Sequence, residues 1–189
     1  VTVGDRRLMV EAHCALAYAL QLHDELGEAR QLLDQALAVA RELGGYFPVA
    51  AVNFYLGQIF ELQGEYRAAR ETQRERLACE QAIDHASGMS ATVYQAALLA
   101  VWQSDFGEVE QLIALHDRYY PTAAVHPQYT VIRSLIRFVP ALMRGDMTAA
   151  ERHGATAFDA SCGMPSVRGD IDLAFPANLT LLLGASAAL

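Results

Sequence analysis

Six histidines, His13, His23, His85, His116, His126 and His153, are the side chains here best suited to metal or proton chemistry. Two stand beside carboxylates, in His23-Asp24-Glu25 and His116-Asp117. A helical zinc site needs paired histidines at i and i+4 with a third ligand nearby, and neither cluster has that spacing. Both clusters fall at helix ends near turns, where polar and cationic side chains serve as caps. The cysteines, Cys14, Cys79 and Cys162, are odd in number and widely separated, without the CxxC spacing of a metal or redox centre. They fit a reduced, cytoplasmic interior. The motifs GxSxG, GxxxxGK[ST] and GxGxxG after a strand are absent. The expectation is a protein that is not an enzyme, with no catalytic residues, no metal and no cofactor.

Composition narrows the partners. The 189 residues carry a net charge of −8, with a pI near 5.1. Phosphate backbones are gripped by clustered cations, so direct nucleic-acid contact is disfavoured. All 14 basic residues are Arg, a bias that reads as the codon usage of a GC-rich bacterial genome. No basic leader with an apolar run opens the chain, and each hydrophobic stretch is broken before the ~18 residues of a membrane span. The first residue is Val1 and the apolar end from Asn178 to Leu189 lacks a following partner, so the chain is expected to be a piece of a longer protein.

The elements that would position any site are helices. Leu16, Leu20, Leu26, Leu33, Leu37 and Leu43 recur at helical spacing, and alternating β-branched runs are missing. Breaks are expected at Gly27, Gly44-Gly45, Gly64, Ser87-Gly88, Asp105 to Gly107, Pro121 to Pro127, Gly145-Asp146, Gly163 to Pro165 and Pro176. Nine helices fit between them, four antiparallel hairpins and one unpaired helix. Equivalent anchors fall at Ala29, Ala69, Val109 and Ala150, spaced by 40, 40 and 41 residues. Such a period predicts stacked hairpins rather than one closed core. Small residues at Ala17, Gly57 and Ala97 would face these anchors, with Leu20, Phe60, Ala100 and Ala141 one turn further on. Pro140 would remove one backbone bond and kink its helix.

These residues resemble the tetratricopeptide repeat. The second copy matches at Leu56, Gly57, Phe60, Gly64, Tyr66 and Ala69, and the first at Leu16, Leu20, Ala29 and Ala36. The fourth keeps Gly145, Asp146, Ala150 and Ala157, while the third is reduced to Gly107-Glu108-Val109. The resemblance implies an all-α, right-handed solenoid filling a single domain, 1–189. Its repeats would cover about 8–46, 47–88, 89–126 and 127–165, with a partial fifth at 171–189. The period exceeds the usual ~34 residues. This long form is similar to the repeat regions of bacterial signalling ATPases and transcriptional activators of the LuxR and maltose-activator type. The similarity implies a module that binds a protein, a peptide or a small effector.

In such stacks the first helices line the concave wall. The register then selects Cys14, Tyr18 and Gln21; Phe54, Gln58 and Glu61; Tyr94, Leu98 and Val101; and Leu135, Val139 and Leu142, with Trp102 at the edge. The aromatic stripe could grip an extended peptide, a helix or a flat small molecule, or could be ordinary packing between repeats. No cation stands at these positions, which disfavours the carboxylate clamp of chaperone-binding members of the family. The run Arg67, Arg70, Arg74 and Arg76, interleaved with Glu65, Glu71, Glu75 and Glu80, is expected to pair locally on a solvated face. An alternative to effector binding is a scaffold that forms a homodimer through the helix at 171–189.

Overall fold

The structure, a computed structural model, describes residues 3–119 and 127–162, with the backbone alone at residues 3–5 and at Gln128. The described residues form eight α-helices and no strand. They are α1 (Val3–Leu22), α2 (Leu26–Glu42), α3 (Tyr46–Leu62), α4 (Tyr66–Ala82), α5 (Ala86–Trp102), α6 (Phe106–Tyr119), α7 (Pro127–Met143) and α8 (Met147–Cys162). The expected ninth helix at 171–189 lies outside the described residues, as do the breaks at 121–126, 163–165 and Pro176. The chain divides into two compact units, Val1–Leu99 and Ala100–Leu189, and the division passes through α5.

The turns obey a shorter rule than the 40-residue repeat. Each described connection is three residues long, and its middle residue is left-handed: Asp24 (φ 63°), Gly44 (69°), Gly64 (74°), Asp84 (51°), Ser104 (57°) and Gly145 (76°). In five of these six turns, all but the one at Gly44, the third residue then donates its amide to a carbonyl five residues back. Glu25 N reaches Leu20 O at 2.9 Å, Glu65 N reaches Phe60 O at 2.8 Å, and Asp105 N reaches Ala100 O at 2.8 Å. This is the Schellman closure, which satisfies helix-end carbonyls and turns the chain sharply. It moves three expected breaks. Gly27 and Gly107 are helical, because Asp24 and Ser104 take the left-handed position instead. Ser87-Gly88 opens α5, the turn falling at Asp84.

In the first unit α1 packs on α2 and α3 on α4, with α2 and α1 also packing on α3. Ala29 and Ala69, each fourth in the second helix of its hairpin, are fully buried. Ala17 is buried opposite, and at Gly57 an added Cβ would stand 2.9 Å from Gln73 Nε2. Side chains of α4 press on the Gly57 backbone there, which leaves room only for a small residue. Leu33, Val52, Leu56, Ile59 and Leu99 fill the space around them.

In the second unit α7 packs on α8 and α6 on α7. Val109 and Ala150 repeat the buried anchor position. Asp105 Oδ1 accepts from Glu108 N at 3.1 Å and Asp146 Oδ1 from Ala149 N at 3.0 Å, capping α6 and α8. Pro127 opens α7, and the helix continues through Pro140. Arg133 and Arg137 both reach Asp117 on α6.

Candidate binding face

In the first unit six of the register-selected residues, Cys14 among them, come from α1 and α3. Tyr18 is 41% exposed, while Gln21, Phe54, Gln58 and Glu61 are half-buried. Gln21 Nε2 donates to Gln58 Oε1 at 3.1 Å, so the two helices share a polar strip. Tyr18 lies 6.2 Å from Tyr55 between ring centroids, and Tyr55 meets Phe54 edge-on at 4.9 Å. Burial raises the Tyr55 hydroxyl pKa, and the neighbouring Cys14 and Tyr18 raise it further. Tyr55 escaped the register because it follows Phe54 directly. Its signal was the Phe54-Tyr55 pair beside Gly57, where one aromatic faces each side of a helix that must approach α4 closely.

The polar strip ends at Glu61. Burial pushes its carboxyl up to about 7, only partly offset by Gln73 of α4. Gln73 is itself buried against Gly57, and neither amide atom closes a hydrogen bond of good geometry. The Gln21 carbonyl oxygen is likewise buried without a donor. Asn53, one turn before Gly57, is fully buried with both amide atoms unmatched. Cys14 is buried, and desolvation first and Glu11 second push its thiol up to about 11, which leaves it unreactive.

Behind this face lies a buried ion pair where the sequence suggested a solvated run. Arg76 Nε donates to Glu80 Oε1 at 2.9 Å, and Arg76 also donates to Gln95 Oε1 at 2.6 Å. Thr92 Oγ1 donates to Glu80 Oε2 at 2.6 Å, and the Arg76 guanidinium lies 4.7 Å over the Phe54 ring. Arg76 and Glu80 pair locally at i, i+4 as expected, but the expected exposure is corrected, since α5 covers them. Two further acids of the run pair with α2 rather than within α4: Glu65 with Arg30 and Glu75 with Arg41, each at 2.8 Å. Arg67 and Glu71 alone among the described pairs of this run keep the local, exposed form, at 3.4 Å.

The other selected positions are placed differently. Tyr94 is buried, and desolvation pushes its hydroxyl up to about 12; Leu98 is half-buried. In the second unit Trp102 is 61% exposed at the end of α5, whereas Val101, Leu135 and Val139 are buried and Leu142 is half-buried. Buried aliphatic residues of this kind hold helices together and offer no surface to a ligand. No three of His, Cys, Asp and Glu gather as a metal-binding set among the described residues. No protein-family model and no curated protein matches the chain.

Proposed function

We propose that this chain is a non-catalytic binding module that recognises a protein or peptide through the α1–α3 face of its first unit. The observation that supports this most is the joining of exposed Tyr18 with Tyr55 and Phe54, beside a Gln21–Gln58 strip that ends at the half-buried Glu61 carboxyl, which makes no described ion pair. Rings with polar edges supply contact area at low entropic cost, and amides supply adaptable hydrogen bonds. In this reading the chain is the sensing or interaction region of a larger bacterial transcriptional regulator or signalling ATPase. Its place is the cytoplasm. No described helix is long and apolar enough to cross a membrane, which is compatible with that place.

Selection of a displayed peptide library against the purified chain tests the reading. Binders that Tyr18→Ala or Gln58→Leu abolishes, in variants that keep the wild-type melting temperature, support it. A selection that yields no binder to this face overturns it.

A further inference from the structure

The α1–α3 face is mismatched in charge. Glu61 makes no ion pair with any described residue, and burial with Gln73 accounts for its perturbation, with no cation acting on it. Around it the Gln21 carbonyl oxygen lacks a donor, and Gln73, almost wholly buried, lacks partners of good geometry at both amide atoms. The arginine over Phe54, Arg76, is held by Glu80 and Gln95. A half-buried carboxyl whose one neighbouring donor is the Gln73 amide is costly to ionise unless a stronger donor arrives.

The surroundings say what kind of donor. Leu22 and Leu62 follow Gln21 and Glu61 directly at the helix ends and are 68% and 58% exposed, and Tyr18 lies one turn before Gln21. On the adjacent turn and the start of α2, Asp24, Glu25 and Glu28 are exposed acids without a described ion pair. An anionic ligand would meet mostly like charge here, because Arg30, the cation over Phe60, is already held by Glu65 at 2.8 Å. A neutral one would leave the ionised form of Glu61 uncompensated. An ammonium or guanidinium flanked by apolar groups satisfies every feature, because it donates only, neutralises the carboxylate and stacks favourably on aromatic faces.

We propose that the α1–α3 face takes a Lys or Arg side chain from a basic, amphipathic segment of a protein partner. Glu61 receives the cation, Gln21 and Gln58 orient it, and Tyr18, Leu22 and Leu62 cover its apolar neighbours. This rests on the reading of the face as the docking surface and adds the chemistry of what docks.

Fluorescence anisotropy with the full chain and three labelled twelve-residue probes tests it: alternating Arg and Leu pairs, the same peptide with Gln for Arg, and the same with Glu for Arg. The Arg probe should bind and the other two should bind at least about tenfold more weakly, the loss expected when a charged hydrogen-bond partner is removed. Glu61→Gln should weaken the Arg probe by a similar factor, whereas Asp159→Asn, at an exposed acid on α8 in the second unit, should change it less than about twofold. If Glu61→Gln fails to fold, Gln21→Leu serves, with a loss of the same direction. Equal binding of the Gln probe, or full binding by a folded Glu61→Gln chain, overturns the proposal. A neutral probe whose binding Tyr18→Ala abolishes would overturn the cation site and leave the docking face standing; probes indifferent to Tyr18→Ala would remove both.

Discussion

Arg76 and Glu80 form an ion pair that is buried on both sides, with Glu80 Oε2 also taking the Thr92 hydroxyl at 2.6 Å. Gly88 makes room for it, since an added Cβ would stand 2.7 Å from Glu80 Oε1 and 2.4 Å from His85 Nδ1. Removing one partner strands the other charge in the interior. Arg76→Ala or Glu80→Ala should therefore cost about 3–5 kcal/mol, while the double change to Met at both positions should be near neutral. Urea denaturation of the three variants checks this. Single variants no weaker than Arg67→Ala, at the exposed pair, would contradict it.

That pair also shows where sequence reading stops. Ala29, Ala69 and Gly57 were legible because a helix contact tolerates few residue types, and the requirement repeats every 40 residues. Arg76 and Glu80 were not. An i, i+4 spacing is the same whether water or a third helix lies over it, and α5 decides which. The face suffered similarly: Tyr18, Gln21, Gln58 and Glu61 follow from helical register, but Tyr94 and Leu135 share that register and are buried. Register gives direction along a helix and says nothing of what covers it.

The turns were misread for a different reason, and it yields a test. Glycine marks the left-handed position at Gly44, Gly64 and Gly145, but Asp24, Asp84 and Ser104 hold it in the other described turns. A side chain in that conformation costs about 1 kcal/mol, less for Asp. Asp84→Gly and Ser104→Gly should each stabilise by about 0.5–1 kcal/mol. Gly27→Ala should also stabilise, by up to about 1 kcal/mol, because Gly27 is helical with nothing within 4 Å of an added Cβ. A turn at Gly27 would reverse that sign in thermal melts.

Glu61 makes stability depend on pH in the direction opposite to most carboxylates. Its folded pKa of about 7 exceeds its ordinary 4.5, so the folded chain holds the proton more tightly than the unfolded chain. The contribution is complete below 4.5 and is lost as pH rises to 7, by at most about 3 kcal/mol at about 1.4 kcal/mol per pH unit. Glu61→Gln imitates the protonated form. It should match wild type at pH 4.5 and exceed it at pH 8; equal stability of the two at pH 8 would remove the desolvation argument.

His116 works the other way in the second unit. It is fully buried in the last turn of α6, and desolvation is the main cause that lowers its pKa from 6.5 to about 4. Asp117 pulls upward, while Arg137 and Arg133 push down. The neutral ring is what the fold accepts, so its contribution is complete above 6.5 and is lost as pH falls towards 4. The loss amounts to about 3 kcal/mol at most. Between 4.5 and 6.5 the gain at Glu61 opposes the loss at His116, and wild type alone would show a shallow profile that hides both. Separating them requires the Glu61→Gln background, in which falling pH should destabilise the chain steeply. Adding His116→Gln to that background should flatten the profile, read as the urea midpoint from pH 7.5 to 4.5. If the slope persists without His116, the acid sensitivity belongs to another group, and a charged imidazole is tolerated where this structure buries it.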